Sequence, residues 1–357
     1  MDAAQRPAPL VAPASELSSE QSVRAQRQIV LPGFGEIAQR RLRAARLLVV
    51  GAGGLGSACV PYLVGAGVGT IGIVDDDRVE LSNLHRQVSH GTADIGRLKV
   101  ESLADTARAL DPGVTVIPHI ERLTSGSAPA IHAHYDLVID GSDNFPTRYL
   151  VADASELQGI PLVWGSLLQF YGQVGVSWRP EWPGYRDLFP APPAPEDVLD
   201  CGTGGVLPGL CGTIGSLLAT EALKLITGIG EPLLGRVLVF DGLTTRTREI
   251  AYAQDPHAAA ITGLIDYERF CAGPDPEPPS ISAEELVELW AAGDEPRLID
   301  VRTEEERARL RIAGAESLPL DDLERGEATV DGPVIVHCER DPRSIRASKL
   351  LIARGAH

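Results

Sequence analysis

The stretch Arg46-Leu47-Leu48-Val49-Val50-Gly51-Ala52-Gly53-Gly54-Leu55-Gly56 decides the fold of this chain. A short apolar run leads into a glycine-rich turn, and a helix-like pattern follows from Ser57 to Val64. Strand, glycine turn and helix form the context in which Gly-x-Gly-x-x-Gly binds a nucleotide, because glycine lets phosphate oxygens approach the amide groups at the helix start. The candidate nucleotide-binding residues of this turn are Gly51, Gly53, Gly54 and Gly56.

Asp75 adds to the nucleotide-binding pattern. It ends a second apolar run, Thr70 to Val74, and lies 19 residues after Gly56. That spacing is close to the one expected of a carboxylate that holds ribose hydroxyls. Together these residues predict a Rossmann-like, doubly wound and mostly parallel sheet, but they do not identify the nucleotide.

Further polar residues follow the predicted strands. The turn Leu81 to Gln87 contains Asn83 and Arg86, Lys99 opens a helical pattern, and Asp143 follows another apolar strand. In a doubly wound sheet these positions meet at the carboxyl edge of the strands. Two cations and a carboxylate suit a triphosphate with Mg²⁺, for which Asp143 is the candidate ligand. A hydride-transfer enzyme has no need of this cluster.

These segments, together with Arg27-Gln28 and Asp75-Asp76-Asp77, resemble the MoeB/ThiF family of ubiquitin-activating-like adenylyltransferases over roughly residues 20 to 250. A protein of this family adenylates the C-terminal glycine of a ubiquitin-fold sulfur carrier protein that ends in Gly-Gly, and releases pyrophosphate. The resemblance implies ATP and Mg²⁺ as ligands. Beyond the glycine turn, it assigns nucleotide contacts to Asp75, Ser82, Asn83, Arg86, Lys99, Asp143 and Asn144.

The resemblance also implies that Arg27 reaches the nucleotide of an opposite subunit, and hence a homodimer. Each of these residues has a simpler alternative. Arg27 lies in an arginine-rich segment that could be a solvated helical face. Lys99 alone could be a surface lysine, and Asp143-Asn144 could be only a turn or a helix cap. The shared order along the chain favours the functional interpretation.

Length and composition predict a globular protein of two domains. The chain has 357 residues, of which 44% are hydrophobic and 23% charged, more than one ordinary domain needs. A net charge of −17 opposes nucleic-acid binding. The first 20 residues have no apolar core, so we expect a disordered N-terminus over 1–20 and no signal peptide. The uncharged stretch Leu47 to Val74 fits a buried βαβ unit better than a membrane span, so we expect a cytoplasmic protein without membrane contact.

The cysteines predict a reducing compartment and no zinc site. There are five, without paired spacing. The resembled family usually has two Cys-x-x-Cys pairs that bind a structural zinc, and here they fall on Gly184 to Asp187 and near Ala258 to Ile261, so all four ligands are missing. The replacement, Tyr185 to Pro190, resembles a MoeZ-type subgroup of that family.

Cys201 is a candidate catalytic residue. It follows the proline-rich stretch Pro190 to Pro195, which predicts a crossover loop above the active site. The resemblance implies that a cysteine here attacks the acyl-adenylate or pairs with the sulfur donor, with a bystander thiol as the alternative. Cys59 and Cys211 lie in apolar helical patterns and are expected to be buried.

The chain after Cys211 predicts the end of the first domain. A helical pattern stops at Gly228, and two strand-like runs then suggest antiparallel additions to the sheet. We therefore assign residues 21–252 to an ATP-binding adenylyltransferase domain, 253–280 to a linker rich in Pro, Ala, Gly and Asp, and 281–357 to a second, small α/β domain.

The second domain resembles a rhodanese through Ile299 to Arg302, Glu304 to Glu306 and Cys338 followed by Arg343-Ser344. In that family the cysteine carries a persulfide. A tyrosine-phosphatase loop is the alternative, but it needs arginine where Ser344 stands.

The cysteine loop departs from the usual rhodanese pattern. Asp341 stands where glycine is usual, Pro342 removes an N–H donor, and Glu339 adds negative charge. The chain also ends at His357, before the elements that usually close this domain. An active persulfide site and an inert docking module therefore both remain open.

The sequence thus predicts adenylation of a sulfur carrier protein followed by sulfur transfer to give a thiocarboxylate. The predicted catalytic residues are Cys338, Cys201, Arg27, Arg86 and Lys99. The sulfur donor would be a cysteine desulfurase or thiosulfate, and the carrier could belong to the molybdopterin, cysteine or thiamine pathway. The alternatives are an adenylyltransferase or a carrier-binding scaffold with an inert rhodanese module, and a nicotinamide-dependent oxidoreductase.

Overall fold

The computed structural model describes residues 6–194, 204–272, 278–293, 296–326, 330, 332–340 and 342–354. The chain folds as two compact units, Met1–Cys271 and Ala272–His357. The second unit is a separate small α/β domain, as the sequence predicts.

The first unit is built on an eight-stranded sheet with the order β3-β2-β1-β4-β5-β6-β7-β8. Its strands are β1 Arg46–Val50, β2 Thr70–Val74, β3 Thr115–His119, β4 Leu137–Asp140, β5 Leu162–Leu168, β6 Tyr171–Ser177, β7 Arg236–Asp241 and β8 Arg246–Ala251. Strands β1 to β5 pair in parallel, and β6, β7 and β8 add antiparallel. The predicted Rossmann-like sheet with antiparallel additions is confirmed.

Helices cover both faces of this sheet. They are α1 Ser19–Arg24, α2 Gln26–Ile29, α3 Gly35–Ala44, α4 Gly54–Gly65, α5 Lys99–Leu110, α6 Ala128–His132, α7 Phe145–Leu157, α8 Tyr185–Leu188, α9 Pro208–Thr227 and α10 Tyr267–Ala272. Alternate residues of β1 face different cores: Leu47 and Val49 pack with α3, α4, α5 and α9, whereas Leu48 and Val50 pack with α6 and α7. Burial on both faces explains why β1 is apolar throughout.

The longest helix of this unit, α9, is a core helix. It is long and apolar enough to cross a bilayer by length and composition alone, but 56% of its most apolar window is buried inside the fold. Leu218 and Ile226 have no exposed surface. The helix ends at Gly228, which adopts a left-handed conformation at φ 78°, as the sequence predicts.

The sequence patterns above do not indicate strands β5 and β6, and each of these strands contains glycine. At Gly175 a β-carbon would lie 2.3 Å from the ring of Trp164, and at Gly172 it would lie 2.4 Å from Ile214. Glycine in these strands therefore marks close packing of large side chains.

The N-terminal segment differs from the expected disorder over residues 6–20. The N–H of Leu10 donates to the carbonyl of Leu225, and the N–H of Ala14 donates to that of Arg40. Leu10 also packs on the core that contains α9. Composition alone did not show these docking contacts.

The predicted linker over 253–280 is shorter in the structure. Helix α10 lies within it, and Tyr267 is buried in the core beside α7. The Tyr267 hydroxyl donates to Asp153 at 2.6 Å. The first unit therefore extends to Cys271.

The second unit contains a three-stranded parallel sheet with the order β10-β9-β11. Its elements are α11 Ala283–Ala291, β9 Arg297–Asp300, α12 Glu304–Arg309, β10 Glu316–Ser317, α13 Leu320–Glu324, β11 Val334–His337 and α14 Pro342–Ala353. Its core is formed by Ile299, Val301, Leu323, Val330, Ala347 and Leu351. Cys338 follows β11 directly and precedes α14 by a short loop.

Candidate active site

The glycine turn joins the end of β1 to the start of α4 and requires glycine at two positions. Gly51 has a φ of 92°, and a β-carbon there would lie 2.9 Å from the carbonyl oxygen of Gly141. A β-carbon on Gly56 would lie 1.9 Å from the carbonyl oxygen of Gly51. The turn therefore packs tightly against the segment that follows β4 and against the first turn of α4.

The N-terminus of α4 faces this turn without a side-chain cap, because Gly53 is its N-cap residue. The exposed amide groups and the helix dipole favour an anion at such a position. The aliphatic part of Arg86 lies beside Gly54, within 3.9 Å of where a β-carbon would be. Among the described residues no carboxylate lies within ion-pair distance of the Arg86 guanidinium, so its charge is available to a ligand.

Asp75 holds the turn from the side of β2. Its Oδ2 accepts from the N–H of Ala52 at 2.7 Å, and its Oδ1 accepts from the N–H of Asp77 at 2.8 Å. Burial raises the pKa of Asp75, while Lys99 and the two N–H donors act in the opposite direction. Each carboxylate oxygen keeps a second lone pair with which to accept a ribose hydroxyl.

Lys99 is the first residue of α5 and lies next to these carboxylates. Its side chain is only 8% exposed, and its Nζ lies 2.6 Å from Asp77 Oδ2. A cation is unfavourable at the N-terminus of a helix, so the carboxylate offsets the helix dipole. The sequence pattern places Asp77 only within the run Asp75-Asp76-Asp77, and its contact with Lys99 is seen only in the structure.

The turn that carries Ser82, Asn83 and Arg86 is stabilised by its own side chains. Asn83 is buried, and its Oδ1 accepts from the N–H of Glu80 at 3.1 Å. The Ser82 hydroxyl donates to a Glu80 carboxylate oxygen at 3.0 Å. Arg86 Nη1 donates to the carbonyl of Ser82 at 3.3 Å. In this structure Ser82 and Asn83 shape the turn that presents Arg86.

Asp143 and Asn144 follow β4 but differ in what they contact. Asp143 is exposed, on the turn whose Gly141 lies against Gly51. Asn144 is the N-cap of α7, and its Oδ1 accepts from the N–H of Thr147 at 2.9 Å. The helix-cap alternative thus describes what Asn144 does in the structure.

A buried pair supports this turn. Asp140 has no exposed surface, and burial raises its pKa, although Arg148 opposes that rise. Arg148 Nε lies 3.8 Å from Asp140 Oδ2, and Arg148 Nη2 donates to the carbonyl of Ser142 at 2.8 Å. No sequence signal indicates this pair, since a single Asp at a strand end and an Arg in the next helix have no distinctive spacing.

Arg27 is exposed on α2, and the described residues form no ion pair with it. Its neighbour Gln28 fixes that helix, because Gln28 Nε2 donates to Gln39 Oε1 at 2.7 Å and to the carbonyl of Ala66 at 3.0 Å. Gln28, which belongs to the segment that resembles the MoeB/ThiF family, therefore has a structural role in this chain. Within one chain, none of the contacts described above for the glycine turn, Asp75 or Lys99 involves Arg27.

The segment Gly184 to Asp187, where the resemblance would place the first pair of zinc ligands, is held by hydrogen bonds to a carboxylate. Four N–H groups donate to Asp187, whose side chain has no exposed surface: two of Arg179, one of Gly184 and one of Asp255. Burial alone would raise the pKa of Asp187, but these donors hold it below its usual value. The second position, near Ala258 to Ile261, offers no thiolate, and the neighbouring imidazole of His257 cannot build a tetrahedral site alone. These residues do not fit a tetrahedral zinc site.

The cysteines of the first unit are mostly buried. Cys59 and Cys211 are buried, as predicted, and burial raises the pKa of Cys59 strongly. Burial also raises the pKa of Cys271 to about 11. Cys201 lies outside the described residues.

Cys338 lies at the start of the rhodanese-like loop, with Sγ 3.5 Å from Ser344 Oγ. Arg343 forms two hydrogen bonds to Glu306, of 2.8 and 2.7 Å, which tie the start of α14 to α12. Arg343 holds the pKa of Glu306 at about 2. Pro342 begins α14 and provides no N–H, while Asp341 lies outside the described residues.

A model of the ThiF family matches residues 25–260, and a rhodanese-like domain model matches residues 282–357. The chain belongs to the ThiF family. In this ThiF-family protein the glycine turn and its carboxylates lie within the first match, and Cys338 lies within the second. The predicted resemblance to both families is confirmed.

Named relatives of this ThiF-family chain include two bacterial proteins. It is 45% identical to the probable adenylyltransferase/sulfurtransferase MoeZ of Mycobacterium tuberculosis, over 95% of this chain and 90% of that protein. It is 46% identical to the sulfur carrier protein adenylyltransferase of Thermus thermophilus, over 71% of this chain and 98% of that protein. The predicted enzyme class, adenylyltransferase/sulfurtransferase, is confirmed.

The solved structures that resemble the ThiF-family chain include E. coli MccB with ATP. The TM-score is 0.55 at 17% identity, covering 62% of this chain and 68% of that one. At this identity the likeness concerns the fold alone.

Proposed function

We propose that the first unit adenylates the C-terminal glycine of a ubiquitin-fold sulfur carrier protein that ends in Gly-Gly. The observation that carries the proposal is the arrangement at the end of β1, where an uncapped helix N-terminus faces a tight glycine turn. Arg86 lies beside that turn, and Asp75 and Lys99 lie at the neighbouring strand end. Such a site suits a nucleoside triphosphate.

Each group has a role in holding ATP. The amide groups of the turn and the cations of Arg86 and Lys99 would bind the phosphates, while Asp75 would accept from the ribose. Asp143 is the proposed ligand of Mg²⁺, which would neutralise charge on the phosphate oxygens when bound. A single carboxylate is sufficient, because Mg²⁺ usually takes its other ligands from water and phosphate.

The proposed reaction joins two anions, so charge compensation is its main requirement. A carboxylate oxygen of the carrier attacks the α-phosphorus, the bond to the β-phosphate oxygen breaks, and pyrophosphate leaves with the bonding electrons. Arg86 and Lys99 offset the negative charge that develops at phosphorus. The products are the acyl-adenylate and pyrophosphate.

Arg27 enters this proposal through a second subunit. Exposed apolar side chains occur on the first four helices and their connections, which include α2 with Arg27: Val23, Val30, Leu31, Ile37 and Tyr62. Exposed apolar side chains that lie together are typical of an interface. We propose a homodimer in which Arg27 of one protomer reaches the nucleotide of its partner.

The second step would use Cys338. A persulfide on Cys338, supplied by a cysteine desulfurase or thiosulfate, attacks the acyl carbon of the adenylate, and AMP leaves. A second thiolate, for which Cys201 is the proposed source, then attacks the Cys338 sulfur of this acyl disulfide and releases the thiocarboxylate. The new Cys201–Cys338 disulfide is reduced by an external thiol before the next cycle.

The names of two relatives support this scheme. The Thermus relative is named for a sulfur carrier protein and the Mycobacterium relative for both activities. The departures in the Cys338 loop favour one alternative, a rhodanese-like module that docks the carrier without sulfur transfer. We place the reaction in the cytoplasm, in a pathway such as molybdenum cofactor synthesis.

The test is exchange of labelled pyrophosphate into ATP. We expect exchange that depends on a carrier ending in Gly-Gly and is lost when the last glycine is removed. NAD binding without any response to ATP would instead support an oxidoreductase. Mass spectrometry of the carrier after incubation with thiosulfate tests the second step, and adenylation without a thiocarboxylate product would support the inert module.

A further inference from the structure

We propose that His90 is a positioning residue for the nucleotide-binding turn, which it orients by donating a hydrogen bond from Nε2 to the carbonyl of Ala52. The proposal rests on the adenylation function above. It assigns a role to a residue that lies outside the glycine pattern and outside the candidate phosphate-binding side chains.

The hydrogen bonds of His90 define its tautomer. His90 is 6% exposed, its Nε2 lies 3.0 Å from the carbonyl oxygen of Ala52, and its Nδ1 lies 2.8 Å from Ser102 Oγ. A carbonyl oxygen can only accept, so Nε2 must carry the proton. In the neutral ring Nδ1 then accepts from the Ser102 hydroxyl.

The charged groups around the ring do not change this assignment. Burial lowers the pKa of His90, and Lys99 lowers it further, whereas the bond to Ala52 and the carboxylates of Asp94 and Asp75 act in the opposite direction. The net direction is downward, so the neutral form dominates near pH 7. The bond from Nε2 to Ala52 exists in the protonated ring as well.

The consequence for the turn follows from the planarity of the peptide bond. In a trans peptide the N–H of Gly53 points opposite to the carbonyl of Ala52. Because His90 holds that carbonyl on the protein side, the N–H of Gly53 points to the open side of the turn. Within the described part of the chain no group accepts a hydrogen bond from Gly53 N–H. It is a free donor at the start of α4.

This peptide needs such a restraint. Glycine allows almost any backbone conformation, so nothing in Gly53 itself prevents the Ala52–Gly53 peptide from flipping. Asp75 holds Ala52 from the other side by accepting its N–H at 2.7 Å. The two contacts together define the orientation of Ala52 and the direction in which Gly53 donates.

His90 also connects the turn to the helix that carries Lys99. Ser102, its second partner, lies on α5 one turn beyond Lys99. Lys99 is linked to Asp77, whose N–H donates to Asp75, which in turn holds Ala52. A closed ring of contacts thus joins the glycine turn, the end of β2 and α5, and a change at His90 opens it.

The experiment compares three variants of the full chain in pyrophosphate exchange. The amide nitrogen of glutamine reaches the position of Nε2, whereas that of asparagine reaches only the position of Nδ1. We therefore expect His90→Gln to keep a KM for ATP close to that of the unmodified protein. His90→Asn and His90→Ala should raise this KM about 10-fold, the size expected when the hydrogen bond from Gly53 N–H to a charged phosphate is lost. The KM for the carrier should stay unchanged.

Amide hydrogen exchange over residues 51–56 gives a readout that does not depend on activity. We expect faster exchange there in His90→Asn than in His90→Gln, with equal melting temperatures. If the unmodified protein shows no pyrophosphate exchange, the adenylation proposal fails, and amide exchange alone decides the role of His90. Equal behaviour of the Gln and Asn variants in both measurements would overturn the proposal. The Gln and Asn pair still decides if His90→Ala does not fold.

Discussion

Lys99 Nζ lies 2.6 Å from Asp77 Oδ2, although the two side chains differ greatly in exposure, at 8% and 67%. The buried partner is the cation and the solvated partner is the carboxylate. Under the proposed function, a phosphate would replace Asp77 as the counter-ion of Lys99. The low exposure of Lys99 distinguishes it from an ordinary surface lysine.

We expect Lys99→Ala to lower the rate of carrier-dependent pyrophosphate exchange by about 100-fold or more, because a cation aimed at developing phosphate charge is lost. Arg108→Ala is the matched control, since Arg108 is an aspartate-paired cation near the other end of α5. Exchange that survives Lys99→Ala would remove Lys99 from the site.

Gly56→Ala should abolish ATP binding measured by calorimetry. The added methyl group would lie 1.9 Å from the backbone carbonyl of Gly51, which cannot give way without opening the turn. Gly65→Ala is the control on the same helix, because nothing lies within 4 Å of its added methyl group. That variant should bind ATP normally and be slightly more stable, by about 0.5–1 kcal/mol. Normal ATP binding by Gly56→Ala would contradict the geometry of the turn.

His132 should make the first unit less stable in mild acid. It has no exposed surface, neither ring nitrogen has a partner among the described residues, and burial lowers its pKa from 6.5 to about 4. Below pH 6.5 the unfolded chain binds a proton that the folded protein excludes. The free energy of unfolding should therefore fall between pH 6.5 and pH 4, by about 3 kcal/mol in all.

Urea unfolding followed by tryptophan fluorescence at pH 7.5, 5.5 and 4.5 measures this effect. His132→Leu should reduce the loss of stability on acidification, whereas His134→Leu, a change at an exposed histidine two residues away, should retain it. The same pH dependence in all three proteins would show that His132 is not its source.

Asp187→Ala should lower the free energy of unfolding by about 3 kcal/mol, because it leaves Arg179 and two backbone N–H groups without their acceptor. Asp255→Ala is the control, since the hydrogen bond to Asp187 comes from the backbone N–H of Asp255, which this substitution keeps. A chelator should leave the melting temperature unchanged, because Asp187 links Arg179, Gly184 and Asp255 through hydrogen bonds that need no metal. Stoichiometric zinc in the purified protein would contradict this account.

Cys338→Ser should abolish thiocarboxylate formation while pyrophosphate exchange continues, because the two steps use different residues. Cys271→Ser is the matched control, since that thiol has a pKa raised to about 11 and is poorly nucleophilic at neutral pH. Mass spectrometry of the carrier measures both variants. A thiocarboxylate that persists in Cys338→Ser would exclude Cys338 from sulfur transfer.

The parallel part of the sheet could be predicted because its signals are local. The apolar run Leu47 to Val50, the glycine turn and the ordered positions of Asp75, Lys99 and Asp143 are all features of short segments. Parallel strands then bring their carboxyl ends to one edge whatever the remaining packing. The same local reasoning gave the helix stop at Gly228.

Other features depend on residues that are far apart in the chain and meet only when it folds. The N-terminal residues near Leu10 have a disordered composition but find a docking site on α9. Glycine in β6 is unfavourable for a strand by local propensity. It is required in the folded protein because the Trp164 ring occupies the space beside Gly175.

The sequence by itself determined which chemical groups this protein has at the ends of its parallel strands. Local patterns show where each of these strands ends along the chain and which side chains follow it. Only the tertiary structure decided how those groups are held: Lys99 by Asp77, Ala52 between Asp75 and His90, and Asp187 among four N–H donors. Hydrogen bonds and ion pairs act over a few ångströms, and no spacing along the chain reveals which distant atoms folding will bring that close.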